Sequence, residues 1–548
     1  MRNASPRFSL PFKGAAALSV LSGVLYFLAF PGIDLWPLAF VALVPLILAL
    51  RGQTPRRALL FGWLSGFTMT MLGFYWLLEM LETFSGFPLP LCVLFMALLC
   101  AYQAGRIALL GWVYARTEQR GWPTAPAFLL VFAASEQIYP LLFPWTYAAT
   151  VHQIPALIQL AELGGPILVS LPLVAANLAI AELVLSRLER RAVRWKPTVA
   201  LALAPVASAL YGAVRIGQVE ERIRTAEPAD VGLVQANMSL FAKRQEKQEG
   251  LRRHIKLTER LKKDDPEKLD LVVWSETSVM SAIDEATKDT DIPRKISGDL
   301  DVAAIFGVVL RRPVKDVRGN VYFNSAIATS RRGHVVGRYD KQFLLAFGEY
   351  LPFGEAFPIL YEWSPNSGRF SPGKSLLPLQ IGRHQVATFI CYEDIIPGFV
   401  NSIVNAGNPD LLVNLTNDAW FGDTTEPWIH LALSKFRAVE HRRFFVRSTN
   451  SGVSAFVDPV GRVIAHTETF KTEALRERIA WMRSTTFYGI VGDVPWYLAV
   501  LAAGALAWYP RRGASRRALP PRAKPATEPK PPSPTDFRAR SRAWFTRG

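Results

Sequence analysis

Apolar residues in this chain follow two distributions. In the N-terminal part they form long unbroken runs, at roughly 14–30, 35–50, 58–78, 88–113, 127–149, 163–186 and 197–214, and an eighth follows at 494–510. A helix needs about 17 to 25 apolar residues to cross the hydrocarbon core of a bilayer, so the pattern predicts about eight transmembrane helices. The first two runs are short and joined by Pro31-Gly32-Ile33-Asp34, which also admits one re-entrant pair; two spans is the reading carried forward. Between about 228 and 490 the runs shorten and turn β-rich. Segments 231–235, 271–274, 303–310, 322–329, 386–391, 411–415 and 444–447 read as strands, and 244–263 and 426–442 as helices. Such alternation predicts a layered α/β domain, with reactive groups expected at strand ends.

The expected organisation is therefore a membrane domain over 1–215, an α/β domain over 228–490, a C-terminal transmembrane helix at 494–510 and a tail from 511 to 548. Loop charge orients it, because Lys and Arg are held in the cytoplasm during insertion. Arg2, Arg7 and Lys13 precede the first run; Arg51, Arg56 and Arg57 follow the second; Arg116 and Arg120 follow the fourth; Arg187, Arg190, Arg191, Arg194 and Lys196 follow the sixth. The alternate loops near 31–36, 79–87 and 150–160 hold no Lys or Arg. Both termini are expected in the cytoplasm and the α/β domain on the outer side. The first run leads into a second span rather than a cleavage site, so no removable signal peptide is expected.

Composition changes this picture little. A hydrophobic share of 50% over 548 residues excludes one soluble domain. A net charge of +17 ordinarily suggests nucleic acid, but eleven Lys or Arg lie beyond residue 510, opposed there by Glu528 and Asp536. A basic segment after a hydrophobic span fits anionic lipid better, and no nucleic-acid-binding motif accompanies it. The Pro-rich stretch 520–534 reads as disordered. Glu79, Glu82 and Arg106 sit in or beside the spans and could line a substrate path, although solvation suits the two glutamates better. Cys92 and Cys100 are eight positions apart on one expected helix, about 12 Å along its axis, so no disulfide framework is expected and Cys391 reads as a free thiol. With no metal-ligand cluster and no Gly-rich nucleotide loop, no metal or other cofactor is expected.

Three expected strand ends carry reactive groups: Glu276 after Leu271-Val272-Val273-Trp274, Lys341 after Gly337-Arg338-Tyr339-Asp340, and Cys391 after Phe389-Ile390. Each alone is ordinary; together they form a nucleophile set. A carboxylate near pKa 4.3 taking a proton from a thiol near 8.5 works uphill by about 4 units, or roughly 6 kcal/mol. Desolvation of the carboxylate and a neighbouring ammonium narrow that gap. The run Phe343-Leu344-Leu345-Ala346-Phe347, followed by Phe353, Phe357, Tyr361 and Trp363, is too apolar for a solvated loop and reads as a lid facing lipid.

Glu276, Lys341 and Cys391 in that order, with Phe347-Gly348-Glu349-Tyr350-Leu351-Pro352 and Asn417-Asp418-Ala419-Trp420-Phe421-Gly422, resemble the nitrilase superfamily of carbon-nitrogen hydrolases. Joined to seven preceding spans and one following span, to Leu35-Trp36-Pro37-Leu38-Ala39 and to Arg447-Ser448-Thr449-Asn450-Ser451-Gly452, the pattern resembles the bacterial apolipoprotein N-acyltransferase family of the inner membrane. The resemblance implies an αββα sandwich and a ping-pong reaction. Cys391 would take an acyl chain from a glycerophospholipid and pass it to the α-amine of a diacylglyceryl-cysteine apolipoprotein. Glu276 would act as base and acid, and Lys341 with a backbone N–H near Tyr392 would hold the oxyanion. Glu349 would buttress the site, and Tyr392 and Glu393 would shape the acyl pocket. Ser275 and Ala346 stand where the family often has Pro, which touches loop geometry rather than chemistry.

Two rivals share parts of this pattern. A membrane-tethered amidase would carry the same three residues but needs one anchor and no apolar lid. A non-catalytic scaffold or transporter would be expected to have lost a reactive residue, and all three are here.

Overall fold

The computed structural model describes residues 8–85, 87–239, 247–263, 269–287, 300–313, 320–346, 348–351, 353–363 and 368–511. Phe347, the start of the helix expected at 244–263 and nearly all of the expected tail therefore lie outside the described residues, as does the side chain of Trp363.

Among the described residues, four helices are long and apolar enough to cross a membrane: Phe12–Ala29, Leu89–Gln119, Ala161–Leu188 and Trp195–Thr225. A fifth span results if Pro55–Gly73 and Leu77–Thr83, bent by 61° at their junction, count as one. Trp36–Leu50, Thr124–Ile138 and Val494–Trp508 are apolar but shorter. By length the expected eight spans thus become four or five, with three shorter segments. The clearest departure is 35–50, which is a 3-10 turn, Trp36–Phe40, and then a helix of seven residues, Val44–Leu50. That helix reaches about 10 Å, a third of the hydrocarbon thickness. Pro37 and Pro45 lie at the starts of these pieces, where a missing N–H costs least.

Thirteen strands follow among the described residues: β1 (Glu227–Gln235), β2 (Leu271–Trp274), β3 (Val279–Asp284), β4 (Ala303–Pro313), β5 (Asn320–Thr329), β6 (Val335–Asp340), β7 (Leu379–Ile381), β8 (His384–Ile390), β9 (Leu411–Thr416), β10 (Phe445–Thr449), β11 (Ala455–Val457), β12 (Val463–His466) and β13 (Glu473–Trp481). One sheet runs β13-β1-β2-β4-β5-β6, with β3 also paired to β4; the other runs β12-β11-β10-β9-β8-β7. β1, β2 and β4 are parallel, as are β8, β9 and β10. Central parallel strands are covered on both faces, and every residue of β2, β9 and β10 is buried.

The inner faces share one core, in which Leu233, Val273 and Ile305 of the first sheet meet Phe389, Val413 and Val446 of the second. The helix Lys247–Lys262 covers the first sheet through Leu257 and Leu261, which pack with Val234, Val272 and Trp274. Helix Pro397–Gly407 and helices Glu426–Ser434 and Phe436–His441 cover the second through Phe399, Ile403, Leu431 and Ala438. This is an αββα sandwich, the architecture expected from the sequence.

The sandwich does not hang free of the helical half. Phe421, Ile429, Phe436 and Val439 belong to the same apolar core as Phe30, Trp76, Trp145 and Ile158. Ion pairs pin the seam: buried Arg442 donates to Glu162 Oε2 at 2.8 Å and to Gln159 Oε1 at 2.6 Å, and Arg215 donates to Glu162 Oε1 at 2.6 Å. Gln159 in turn donates to the Val460 carbonyl at 2.9 Å. Arg106 lies against the Trp145 ring at 3.5 Å, donates to its carbonyl at 2.8 Å and pairs with Glu136, so it braces helices instead of facing a path. Glu79 is exposed.

Candidate active site

Three strand ends converge. Glu276 follows β2, Lys341 follows β6 and Cys391 follows β8. Cys391 opens a 3-10 turn, Cys391–Ile395, with φ of +56°, a left-handed conformation rare for a residue with a Cβ. The turn lifts the sulfur out of the strand's line. Asn414 of β9 donates to the Cys391 carbonyl at 2.9 Å and fixes the turn to the sheet. Gly307 of β4 lets the Glu276 loop close down, since a Cβ there would lie 2.4 Å from the Thr277 nitrogen and 2.8 Å from the Glu276 Cα.

A buried polar cluster results. Lys341 is 1% exposed; its Nζ lies 2.9 Å from Glu349 Oε2 and 3.4 Å from Glu276 Oε1. Asn324 of β5 bridges the two carboxylates, donating to Glu276 Oε1 at 2.6 Å and to Glu349 Oε1 at 2.7 Å. Glu349 also accepts from the Leu345 N–H at 2.8 Å. Burial pulls the Lys341 ammonium down, but the charges of Cys391, Glu276 and Glu349 outweigh it and hold the pKa well above the ordinary lysine value. Burial pushes the Cys391 thiol well up; Lys341 draws it back, while Glu276, Glu349 and Asp418 oppose ionisation. The sulfur therefore keeps its proton at rest, and it would need a base to act as a nucleophile.

The opposite wall is mainly apolar and is shared between the helical half and the sandwich. Cys391 and Tyr392 open onto a pocket lined by Phe74, Trp76, Leu142, Phe143, Pro144 and Trp145, together with Leu345, Ile395, Phe421, Ile429 and Leu433. A neighbouring cavity of about 490 Å³ shares Pro144, Trp145, Ile395 and Leu433 with it. Trp76 packs edge-on to Phe143 and Phe421, at 5.1 and 5.2 Å between ring centres, so both halves contribute to this wall.

The residues expected to form a lid divide. Phe343, Phe353 and Phe357 are exposed, Phe353 by 77%. Leu344 and Leu345 are half-buried, and Leu345 faces the pocket. Tyr361 departs from the expectation: it is buried and faces no lipid, because its ring packs on the Gly354 turn and under Arg369 at 4.1 Å. Glu393 is also corrected, since it does not line the pocket. It is buried and accepts four hydrogen bonds, from Tyr339 Oη at 2.7 Å and from the N–H groups of Gln342, Phe343 and Ile390 at 2.7, 3.0 and 2.8 Å. It ties the cysteine turn to the Lys341 loop. Burial pushes its pKa up to about 7, against the pull of those donors. Tyr392 does line the pocket and donates to the Leu344 carbonyl at 3.1 Å.

Sequence reasoning missed Asn324, one of several polar residues in β5 and not marked out from Asn320, Ser325 and Thr329 by sequence. It also missed a buried charge network that reaches the pocket through Glu426 and His430. His430 Nε2 lies 2.8 Å from Asp394 and its Nδ1 3.5 Å from Asp418, while Arg447 donates to Asp418 at 3.0 Å. Burial and Arg447 push the His430 pKa down, but Asp394 and Asp418 outweigh them and lift it to about 9, so the ring is an imidazolium. Gly452 is obligatory beside this network: a Cβ there would fall 1.9 Å from Asp418 Oδ2. Asp418, Glu426 and His430 hold donor atoms within 4.8 Å of one another, a spacing a metal ion could bridge. Arg447 and the imidazolium already supply the positive charge in that space, which leaves a metal little to add.

Comparison with known proteins follows these two halves. The family model for the apolipoprotein N-acyltransferase N-terminal domain matches residues 22–179, and that for carbon-nitrogen hydrolase matches 230–480. The chain is 32% identical over 507 residues to the apolipoprotein N-acyltransferase of Pseudomonas putida, covering 90% of this chain and 95% of that one. It is 33% identical to the protein of that name from Azotobacter vinelandii, covering 92% and 96%. Among solved structures, Saccharomyces cerevisiae Nit3, a member of branch 10 of the nitrilase superfamily, aligns at 16% identity with a TM-score of 0.37, over 49% of this chain and 95% of that one.

Proposed function

Because the chain belongs to the apolipoprotein N-acyltransferase family, we propose that it moves an acyl chain from a glycerophospholipid, through a thioester on Cys391, to the α-amine of a diacylglyceryl-cysteine at the N-terminus of an apolipoprotein. The observation that carries this reading is the pairing of walls around one sulfur. A buried carboxylate and ammonium lie on one side, and a mainly apolar pocket built jointly by the helical half and the sandwich lies on the other.

In the first half-reaction Glu276 takes the thiol proton as the sulfur attacks the ester carbonyl. Negative charge then develops on the carbonyl oxygen, where Lys341 and the Tyr392 backbone N–H meet it. Collapse expels the lysophospholipid alkoxide, which recovers the proton from Glu276. In the second half-reaction the amine nitrogen attacks the thioester, the C–N bond forms, the C–S bond breaks and the thiolate is reprotonated through Glu276. Glu349 and Asn324 hold Glu276 and Lys341 in register, and Glu393 holds the cysteine turn. The apolar pocket and the adjoining cavity receive acyl chain. Phe343, Phe353 and Phe357 sit at the lipid surface as a lid.

The same reading sets the protein in the bacterial inner membrane, with the helical domain at 1–215, the catalytic domain at 228–490 on the periplasmic side, a returning helix at 494–510 and both termini in the cytoplasm. The loop charges support that orientation.

The test is to incubate purified protein with phospholipid and a diacylated lipopeptide. The expected result is an acyl adduct by intact mass on wild-type protein and none on Cys391→Ala, with triacylated peptide formed. Free fatty acid without triacylated peptide overturns the transferase reading in favour of a hydrolase.

A further inference from the structure

The acceptor amine raises a proton count that Glu276 alone does not settle. An α-amine in water is an ammonium for much of the time, since its pKa lies near 8. To become an amide nitrogen it must lose two protons. One returns to the Cys391 sulfur; the other needs a second acceptor near the thioester.

The pocket beside Cys391 contains one. Its titratable lining residues are Cys391, Tyr392, Glu426 and His430. Tyr392 is engaged by the Leu344 carbonyl, and His430 by Asp394 and Asp418. Glu426 differs. It opens helix Glu426–Ser434, is 8% exposed, and its Oε2 has no hydrogen-bond partner. Its nearest cationic neighbour is His430 Nδ1, 3.9 Å from Oε1. Asp394 and Asp418 are matched by the imidazolium and Arg447, so the Glu426 carboxylate is the group in this cluster without a counter-charge of its own. It faces a cavity whose other walls are mainly apolar, where a charged nitrogen would find little else to solvate it.

We propose that Glu426 receives the α-ammonium of the acceptor and takes its first proton, delivering a neutral amine to the thioester carbonyl. The inference rests on the acyl-transfer reading above. The proton passes from nitrogen to Glu426 Oε2, and the freed lone pair attacks the carbonyl carbon. The C–S bond breaks, the second N–H proton reaches sulfur through Glu276, and Glu426 later releases its proton to water. Burial pushes the Glu426 pKa up to about 8, with Asp418 and Asp394 raising it and His430 and Arg447 opposing, so about a tenth of the group is the proton-accepting carboxylate at pH 7, a fraction that an arriving ammonium increases.

The experiment uses the full chain in lipid nanodiscs and reads the two half-reactions separately, following lysophospholipid release and then discharge of preformed acyl-enzyme to a diacylated lipopeptide. With Glu426→Gln, discharge at pH 7 is expected to slow by about tenfold, because about a tenth of the amine is already neutral there, while acylation slows at most a few-fold. The discharge deficit should shrink by pH 9, where the free amine is already neutral, and Glu426→Asp should restore part of the rate. Hydroxylamine, uncharged at pH 7, should discharge the variant acyl-enzyme nearly as fast as wild type. Equal slowing of both half-reactions, or a hydroxylamine rate that falls with the peptide rate, overturns the inference in favour of a packing role. Undiminished peptide discharge overturns it as well. Absence of an acyl adduct on wild-type protein instead removes the acyl-transfer reading on which it stands.

Discussion

The two walls around Cys391 are built on opposite terms. The polar wall is assembled inside the sandwich from strand ends, with Glu276, Lys341, Glu349 and Asn324 interlocked at 2.6–3.4 Å and nearly every bond short in space but long in sequence. The apolar wall is assembled across the seam, from rings of the helical half and from Phe421 and Ile429 of the sandwich. Polar geometry is unforgiving, because a misplaced donor leaves a buried charge unmatched. Apolar packing is tolerant of the identity of each side chain and demands mainly volume. One wall should therefore govern whether chemistry happens, and the other which substrate reaches it.

Variants can break that division. The largest effect is expected on the polar wall: Lys341→Ala should lower the acylation rate by about 10²–10³, or about 3 kcal/mol, read in a single-turnover assay with phospholipid. Normal turnover would remove Lys341 from the oxyanion site. Next, Arg442→Ala cuts the seam. Glu162 keeps Arg215 and Tyr211, so the loss of Arg442 should destabilise the protein by about 1–3 kcal/mol, seen as a lower unfolding midpoint in detergent, with little loss of specific activity in the protein that remains folded. On the apolar wall, Trp76→Ala should slow acylation by phospholipid about tenfold yet barely change acylation by a short-chain thioester. Equal losses with both donors would show that the ring also orders the polar wall.

The smallest expected effect is on pH dependence. Burial lifts Glu393 to about 7 and Glu440 to about 8, while the flanking carboxylates lift His430 to about 9 against burial. Between pH 6.5 and 8 the folded chain then holds more protons at these groups than the unfolded chain, so stability falls as pH rises. Thermal unfolding at pH 8 should come below that at pH 6.5; a higher midpoint at pH 8 would mean that these carboxyl groups are solvated.

The polar wall was the more legible in sequence. Glu276 and Cys391 follow runs that read as strands by composition, 271–274 and 386–391, whereas Lys341 follows Gly337-Arg338-Tyr339-Asp340, which has no such run; parallel strands deliver their last residues to one edge. Asn324 was hidden because a polar side chain inside a strand has no local meaning until its partners are known. Glu426 was hidden for the same reason, since a glutamate opening a helix is ordinarily a solvated favourable charge. The apolar character of the helical half is legible in sequence, and so is the shortness of its first two runs, but the division of those runs into helices is not. The segment 35–50 has the hydropathy of a span, yet prolines divide it, and the 61° bend after Gly73 depends on tertiary packing that no window average contains. Tyr361 misled through composition: an aromatic in an apolar loop can face inward as easily as outward.

The antiparallel pairing of β1 with β13 joins Glu227 to Trp481, the first and last positions of the sandwich. A chain made from its N-terminus cannot close that edge until nearly all of the domain has been synthesised and passed along. Until then β1 presents a bare strand margin, a template for wrong partners. Biogenesis of this protein should accordingly depend on a holding factor, or on rapid completion of translation, more than its folded stability would suggest, and nonsense truncations just short of residue 473 should aggregate instead of persisting as partly active fragments.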